Sequence, residues 1–258
     1  MRIGGQKCVD VASSKRLAGD FPAVQQAAAE AATPQIRNRA TLAGNLAQAS
    51  RCWYLRTKGF DCYKLGAGGC AALKKNAETR YHAILGHSKC ACAHPSNLAP
   101  ALIAVDARVA CTHPDGDRVL AAADLYRAPK RGQISDTALR PGELITHVQL
   151  TPSALARNSI YLEMRERRSF DFAVAGVAAA LHVEGGTVKA ARIGIGAIAP
   201  LPYRATTVEK ALVGKPLNAN NIGKAVEAAI PEAEPLGQNQ YKVAIVRRLL
   251  RRALEQLA

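Results

Sequence analysis

The stretch Ala173-Val-Ala-Gly-Val-Ala-Ala-Ala-Leu-His-Val183, Glu184-Gly-Gly-Thr187, Val188-Lys-Ala-Ala-Arg-Ile-Gly-Ile-Gly-Ala197 decides the architecture. Two apolar runs of strand length flank Glu184-Gly185-Gly186-Thr187, which reads as a hairpin connection because paired glycines supply the positive φ that tight hairpin turns require. Upstream, Ser159–Glu166 reads as a third strand. Downstream of Pro200 and Pro202 the apolar spacing takes the helical period over 204–213, 219–229 and 239–257, with Asn218 or Asn220 available to cap the middle helix. Strands followed by helices specify α+β architecture, here a three-stranded antiparallel sheet with a helical bundle. Gly194-Ile-Gly196-Ala-Ile-Ala199 imitates the G-x-G-x-x-A dinucleotide fingerprint, but Pro200 and Pro202 extend the chain where a phosphate-binding helix would have to begin.

The amino-terminal half is written differently. Residues 22–32 are strong helix formers with Pro22 in the first turn, and Pro34 stops them. Thr41 to Gln48 reads as a second short helix carrying Gly44. His94-Pro95-Ser96-Asn97 is a start signal for the apolar run Leu98–Val105, after which 106–112, Arg118–Ala121 and Leu144–Leu150 read as strands, the first two joined through Asp115-Gly116. The change of style near 153–158 divides the chain into residues 1–154 and 155–258.

Composition narrows the classes. Of 258 residues 48% are hydrophobic and 21% charged, which is globular composition and excludes collagen-like and disordered chains. No apolar run is long enough for a membrane span, and no secretory signal is readable at Met1–Cys8, so a cytoplasmic protein without a membrane span is expected. Thirty-five Lys and Arg against twenty Asp and Glu leave a formal charge of +15. Aromatics are only 5% and the basic residues are dispersed, so the excess points to acidic partner subunits or an anionic cofactor and not to nucleic acid. The Arg247, Arg248, Arg251, Arg252 stripe reads as a solvated helix face.

Residues 51–93 hold neither period. They contain the single Trp and five of the seven cysteines, Cys52, Cys62, Cys70, Cys90 and Cys92. Cys52-x9-Cys62-x7-Cys70-x19-Cys90 offers four soft thiolate ligands of the kind that zinc, Cu(I) and iron–sulfur clusters take. A bound metal centre would also order a long aperiodic stretch. No C-x2-C zinc knuckle occurs, whereas iron–sulfur clusters tolerate wider spacing; the spacing alone does not name the metal. Cys8 and Cys111, outside the segment, read as buried thiols.

Pro34-Gln-Ile-Arg-Asn-Arg-Ala-Thr-Leu-Ala-Gly-Asn-Leu46 and Pro95-Ser-Asn-Leu-Ala-Pro-Ala-Leu102 resemble the two flavin motifs of the FAD-binding subunit of the xanthine dehydrogenase, or molybdenum hydroxylase, family. Arg165-Glu-Arg-Arg-Ser-Phe-Asp-Phe-Ala173 and Ala191-Arg-Ile-Gly-Ile-Gly-Ala-Ile-Ala-Pro200 fit the carboxy-terminal domain of that subunit. In most of the family the flavin motifs lie close together. The insertion at 51–93 is similar to that of 4-hydroxybenzoyl-CoA reductase and certain bacterial aldehyde oxidoreductases, whose flavin subunits carry an additional 4Fe–4S cluster. The resemblance implies a partial FAD-binding (PCMH-like) subdomain followed by a CO dehydrogenase flavoprotein C-terminal-like domain. By motif match, Ala40, Thr41, Gly44 and Asn45 contact FAD, Ser96 and Asn97 serve its ribityl or phosphate side, and Ile145 packs near the ring system. Cys52, Cys62, Cys70 and Cys90 hold the cluster and Cys92 is spare.

The resemblance implies electron transfer: a molybdenum-cofactor large subunit oxidises a substrate, a 2Fe–2S small subunit relays electrons, and the FAD here passes them to NAD+ or another acceptor. Three departures stand out. Ala43-Gly44-Asn45 replaces Gly-Gly-Asn, and Ser96-Asn97 replaces Ser-Asp, exchanging an anionic acceptor for a neutral amide. Glu163 stands near a position that is often Lys, and it receives no flavin role. Met1-Arg-Ile-Gly4 resembles the strand that follows a small domain whose Gly-Gly-Thr/Asn loop cradles the FAD pyrophosphate, so that domain is expected outside this chain, removed or separately encoded. The competing readings are a flavin-free, cluster-bearing scaffold and a zinc-containing nucleic-acid binder.

Overall fold

The structure, a computed structural model, describes residues 1–167 and 170–258. Its frame is two four-stranded antiparallel sheets, ordered β1-β4-β2-β3 and β5-β6-β7-β8. The first comprises β1 (Arg2–Ile3), β2 (Arg108–Thr112), β3 (Arg118–Ala121) and β4 (Leu144–Gln149), and seven short helices accompany it. These are α1 (Cys8–Ser13), α2 (Lys15–Asp20), α3 (Pro22–Glu30), α4 (Pro34–Arg37), α5 (Leu42–Leu46), α6 (Trp53–Arg56) and α7 (Leu98–Ala104). Local chemistry starts several of them: the Ser14, Thr33 and Thr41 side chains accept the N–H groups of Leu17, Ile36 and Gly44 as caps for α2, α4 and α5. On α3, Ala23, Val24, Ala27 and Ala28 form one buried face, and its alanines let it pack closely.

The second half contains α8 (Ala154–Arg157), β5 (Ser159–Met164), β6 (Ala175–Glu184), β7 (Thr187–Gly196), β8 (Tyr203–Arg204) and helices α9 (Thr206–Leu212), α10 (Ala219–Glu227) and α11 (Tyr241–Gln256). Gly185 and Gly186 sit at φ +55° and +73° between the paired Glu184 and Thr187, the conformation that the sequence requires of a two-residue hairpin loop. The expected three-stranded sheet has a fourth, two-residue edge. Beyond Pro202, Tyr203 and Arg204 pair with Ile195 and Gly194 before α9 begins. Asn218 caps α10, accepting from the N–H of Asn221.

This second sheet is covered on both sides. Along β6, Ala178 and Ala180 join the core that contains α3 and α7, while Val177, Ala179 and Leu181 join the core beneath α9–α11. Strict alternation between two buried faces explains why β6 reads as one apolar run. Its small side chains leave room for helices on either side. The same packing places the start of α7 beside β5, and the candidate site forms there.

Residues 51–93 form only α6 and two single 3₁₀ turns, at Tyr63–Leu65 and Ala71–Leu73. The segment is nevertheless bolted to the second half. Ile84 and Leu85 enter the core of α9–α11. The Asn239 amide donates to the carbonyls of His82 (3.1 Å) and Ala83 (3.2 Å), and the buried Lys242 ammonium donates to those of Tyr81 (3.1 Å) and Ala197 (2.9 Å). Burial pushes the Lys242 ammonium down to about 7. Among the described residues, no helix is long and apolar enough to cross a membrane.

Candidate functional site

A cleft of about 480 Å³ opens where the α4–α5 connection, the residue preceding α7 and the Phe170–Phe172 segment meet. Backbone bonds fix its floor: Cys8 N–H donates to the Ala40 carbonyl (2.7 Å) and Leu42 N–H to that of Gln6 (3.1 Å). Gly44 N–H donates to Thr41 Oγ1 at 3.0 Å, and a Cβ added at Gly44 would stand only 3.1 Å from that oxygen. The glycine keeps the surface low enough for a ligand to approach the backbone.

Five of the expected flavin contacts, Ala40, Thr41, Gly44, Asn45 and Asn97, line this cleft. Ser96 stands behind them. It is buried, its hydroxyl donates to Asn45 Oδ1 (2.6 Å) and accepts from Ala99 N–H (3.0 Å), so its hydrogen bonding is spent on holding Asn45 and starting α7. Ile145 lies on β4 opposite Cys111, packs on the first core and is not among the residues lining the cleft.

Sequence reasoning assigned no role to several groups that complete the lining. Arg37 and Arg51 bring two cations to the cleft against one acid, Asp171, which favours an anionic ligand. The Arg51 guanidinium lies 5.3 Å from the centre of the Phe172 ring. Phe170 and Phe172 are exposed apolar side chains on its rim. The signal for them was the Arg165–Ala173 motif, quoted above for its pattern only; Arg168 and Ser169 of that motif lie outside the described residues.

Beneath Asn97 runs a polar chain. Its Nδ2 donates to Glu163 Oε2, which also accepts from the Tyr161 hydroxyl (2.6 Å). Arg165 Nε lies 2.9 Å from Glu163 Oε1, and the same guanidinium bonds the Glu30 carboxylate. Burial raises the Glu163 pKa, while Tyr161, Arg165 and Asn97 oppose the rise.

A smaller space of about 150 Å³ adjoins the cleft and shares Arg51, Asp171 and Phe172 with it; Cys52, Trp53 and His82 form its far wall. His82 Nε2 is 3.3 Å from Cys52 Sγ, and burial lowers the His82 pKa to about 4. The Cys90 thiol neighbours Cys70 and Cys92 and holds the Cys70 thiol below its ordinary range. Cys52, pushed up to about 11 by burial, feels Cys92 and Cys70. Cys62 is buried at the start of the first 3₁₀ turn. Cys92, expected to be spare, neighbours Cys90. The ammonium of Lys64, fully buried against Asp136, adds a fixed positive charge facing Cys92 and Cys90. The thiols are soft ligands of the kind that metal clusters take, but the expected set Cys52, Cys62, Cys70 and Cys90 is not assembled into a metal site here. Among the described residues, no three His, Cys, Asp or Glu stand in a ready-made metal-binding geometry. The cleft, with its low backbone and spare polar atoms, suits FAD.

Comparison with known proteins agrees with this geometry. Residues 2–153 match the FAD binding domain in molybdopterin dehydrogenase, and residues 160–257 match the CO dehydrogenase flavoprotein C-terminal domain. The aldehyde oxidoreductase FAD-binding subunit PaoB of Escherichia coli is 34% identical over 260 residues, spanning 99% of this chain and 78% of that protein. The carbon monoxide dehydrogenase medium chain of Afipia carboxidovorans is 32% identical over 184 residues, spanning 69% of this chain and 62% of its own length. A solved structure of the carbon monoxide dehydrogenase from Hydrogenophaga pseudoflava superposes with a TM-score of 0.71 at 24% identity, over 98% of this chain and 73% of that one, and shares its fold.

Proposed function

The chain belongs to the FAD-binding subunits of the molybdenum hydroxylase family, and from that premise we propose that it works as a flavin and iron–sulfur electron-transfer subunit. The observation that carries the reading is the cleft wall of Thr41, Gly44, Asn45 and Asn97, which offers polar atoms around a close backbone approach and two arginines for an anionic cofactor. Bound FAD would supply one- and two-electron exchange between a one-electron relay and a two-electron acceptor. The chain's own residues orient it: Gly44 admits the cofactor to the backbone, Asn45 and Asn97 meet its polar atoms, and Phe170 and Phe172 shield the rim. Arg37 and Arg51 balance its negative charge.

Cys52, Cys62, Cys70 and Cys90 are proposed to hold a 4Fe–4S cluster, with Lys64 offsetting the thiolate charge. The partners in this reading are a molybdenum-cofactor large subunit, where substrate is oxidised, and a 2Fe–2S small subunit; the acceptor is NAD+ or another carrier. The cytoplasm is the proposed compartment.

The test is anaerobic purification followed by visible absorbance and by iron, sulfide, zinc and released-FAD assays on one sample. The expected result is one flavin and one four-iron cluster per chain. Cys70→Ser should lose most of the iron and keep the flavin, whereas Cys92→Ser should keep both. Zinc without iron, or iron unaffected by Cys70→Ser, would refute the cluster; iron without flavin would leave the scaffold reading.

A further inference from the structure

Asn97 occupies the N-cap position of α7 yet does not cap it; the Ser96 hydroxyl takes that task by accepting from Ala99 N–H. The Asn97 amide is free for another purpose, and the structure shows how half of it is spent. Its Nδ2 donates to Glu163 Oε2. The Tyr161 hydroxyl donates to the same oxygen and the Arg165 charge faces the other, so Glu163 acts here as an acceptor and the group turned toward it is the amide nitrogen. Glu163 Oε2 in turn accepts from the Tyr161 hydroxyl, while Oε1 has no hydrogen-bond partner and is faced only by the charge of Arg165, whose Nε lies 2.9 Å away and which Glu30 anchors from α3. The Glu163 side chain is 2% exposed, so water does not compete for it.

From this geometry we infer that Glu163 is a positioning residue, fixing the Asn97 amide so that its oxygen faces the cleft as a hydrogen-bond acceptor. Among the described residues no donor meets Asn97 Oδ1. Asn45 has the opposite polarity. Its Oδ1 accepts from Ser96 Oγ (2.6 Å) and Leu98 N–H (3.5 Å), leaving its NH₂ for the cleft. Thr41 Oγ1 accepts from Gly44 N–H, which leaves its O–H to donate. The wall therefore presents two donors and one acceptor, and the acceptor is set from β5.

The inference rests on the flavin reading and sharpens it. Phosphate oxygens at neutral pH accept hydrogen bonds and suit Thr41 and Asn45. Asn97 takes a donor instead, either a ribityl hydroxyl or the ring N3–H of the flavin. Glu163 thereby gains a role in cofactor recognition that its type and position did not suggest.

The experiment measures dissociation constants of FAD, riboflavin and lumiflavin for the full apo chain at neutral pH by flavin fluorescence, with circular dichroism confirming the fold of each variant. Asn97→Ala should weaken FAD and riboflavin by the same factor, about tenfold, the loss of one hydrogen bond. A penalty that persists with lumiflavin, which has no ribityl hydroxyls, assigns the donor to ring N3–H; a penalty that vanishes assigns it to the ribityl chain. A penalty confined to FAD places the contact on phosphate and overturns the inference. Asn97→Asp still offers an acceptor but sets a second carboxylate against Glu163 and should lose FAD about a hundredfold. Asn97→Asp with Glu163→Gln should return to within about threefold of wild type, because the glutamine can donate to one aspartate oxygen and free the other. Binding by Asn97→Asp as tight as wild type, or a double variant no better than the single one, sinks the inference while the flavin reading stands. If Asn97→Asp misfolds, the comparison of ligands on Asn97→Ala decides alone. Failure of the wild-type chain to bind FAD removes the flavin reading and the inference with it.

Discussion

Gly194→Ala should be among the most damaging single-methyl additions this protein can receive. Gly194 lies in β7 with ordinary strand geometry, so its glycine is not needed for an unusual φ. It is needed for space. A Cβ built there would stand 2.2 Å from the carbonyl oxygen of Pro100 and 2.9 Å from its carbonyl carbon, in the first turn of α7. Real Cβ atoms essentially never approach closer than 3.0 Å, so the helix and the strand would have to part by at least about 0.8 Å. The obstacle is backbone, which cannot rotate away as a side chain could. Overpacking of this kind costs about 3 kcal/mol, offset by the roughly 0.5–1 kcal/mol that alanine regains over glycine in a strand. The net loss of about 2 kcal/mol corresponds to a fall in melting temperature of roughly 4–8 °C for a chain of this size.

Gly196→Ala is the matched control. Its Cβ would meet Pro100 Cγ at 3.1 Å, an atom of a ring that can give by a few tenths of an ångström, and the cost should stay within about 1 kcal/mol. Urea unfolding of both variants reads the difference. Gly194→Ala should also weaken FAD binding, since Asn97 immediately precedes the displaced helix and Glu163 does not move with it. Equal stability of the two variants would refute the reasoning.

Asp136→Asn should destabilise the chain by about 3–5 kcal/mol in urea unfolding, because it strands the buried Lys64 ammonium. Replacing both partners with Lys64→Met and Asp136→Leu should recover most of that loss; a single variant as stable as wild type would show that the pair is not buried in solution. Arg118 grips both oxygens of Glu143 at 2.6 Å and the Arg140 N–H adds a third bond, which holds the carboxyl down to about 2. A depressed folded-state pKa stabilises the fold fully above the ordinary carboxylate range, near pH 4.5, and the contribution is lost as pH falls from there toward 2. Glu143→Gln should therefore melt below wild type at pH 7 and converge with it near pH 2, and parallel melting curves across that window would count against the pair.

What the sequence disclosed and what it hid have separate physical causes. The hairpin of β6 and β7 was legible because period and turn chemistry are local properties. The decoy Gly194-Ile-Gly196 was correctly refused, since Pro200 and Pro202 rule out a helix, but its positive reason was not local. Gly194 exists for Pro100, a residue from the other half of the chain. The cleft was half legible. Thr41, Gly44 and Asn45 carry one short motif and Asn97 a second, whereas Phe170 and Phe172 reach the same cleft from the other half of the chain and Arg51 comes from the start of the aperiodic insertion. Ser96 was read as a contact and acts through Asn45, a distinction that only hydrogen-bond geometry can draw. The cysteine segment looked coreless, and the cores that hold it are partly borrowed: Ile84 and Leu85 insert under α9–α11, and Asn239 and Lys242 bind its carbonyls.

The borrowed core has a consequence for where two cofactors would sit. The insertion leaves the fold at Arg51 and returns at His94, and both ends line the smaller space that adjoins the cleft. Arg51 lines the larger cleft and the smaller space behind it, and the next residue, Cys52, lines the smaller one. Consecutive Cα atoms are about 3.8 Å apart across a trans peptide. The separation of the first thiol from the cleft is therefore set by covalent geometry and insensitive to how the two halves dock. The remaining cysteines depend on the loop between, which residues 234–242 clamp at Thr79 through Ile84. A lost clamp contact would loosen Cys70, Cys90 and Cys92 relative to Cys52 while leaving Cys52 at the cleft. Damage to the clamp and damage to the cleft should thus separate experimentally, the first appearing in iron content and the second in flavin content.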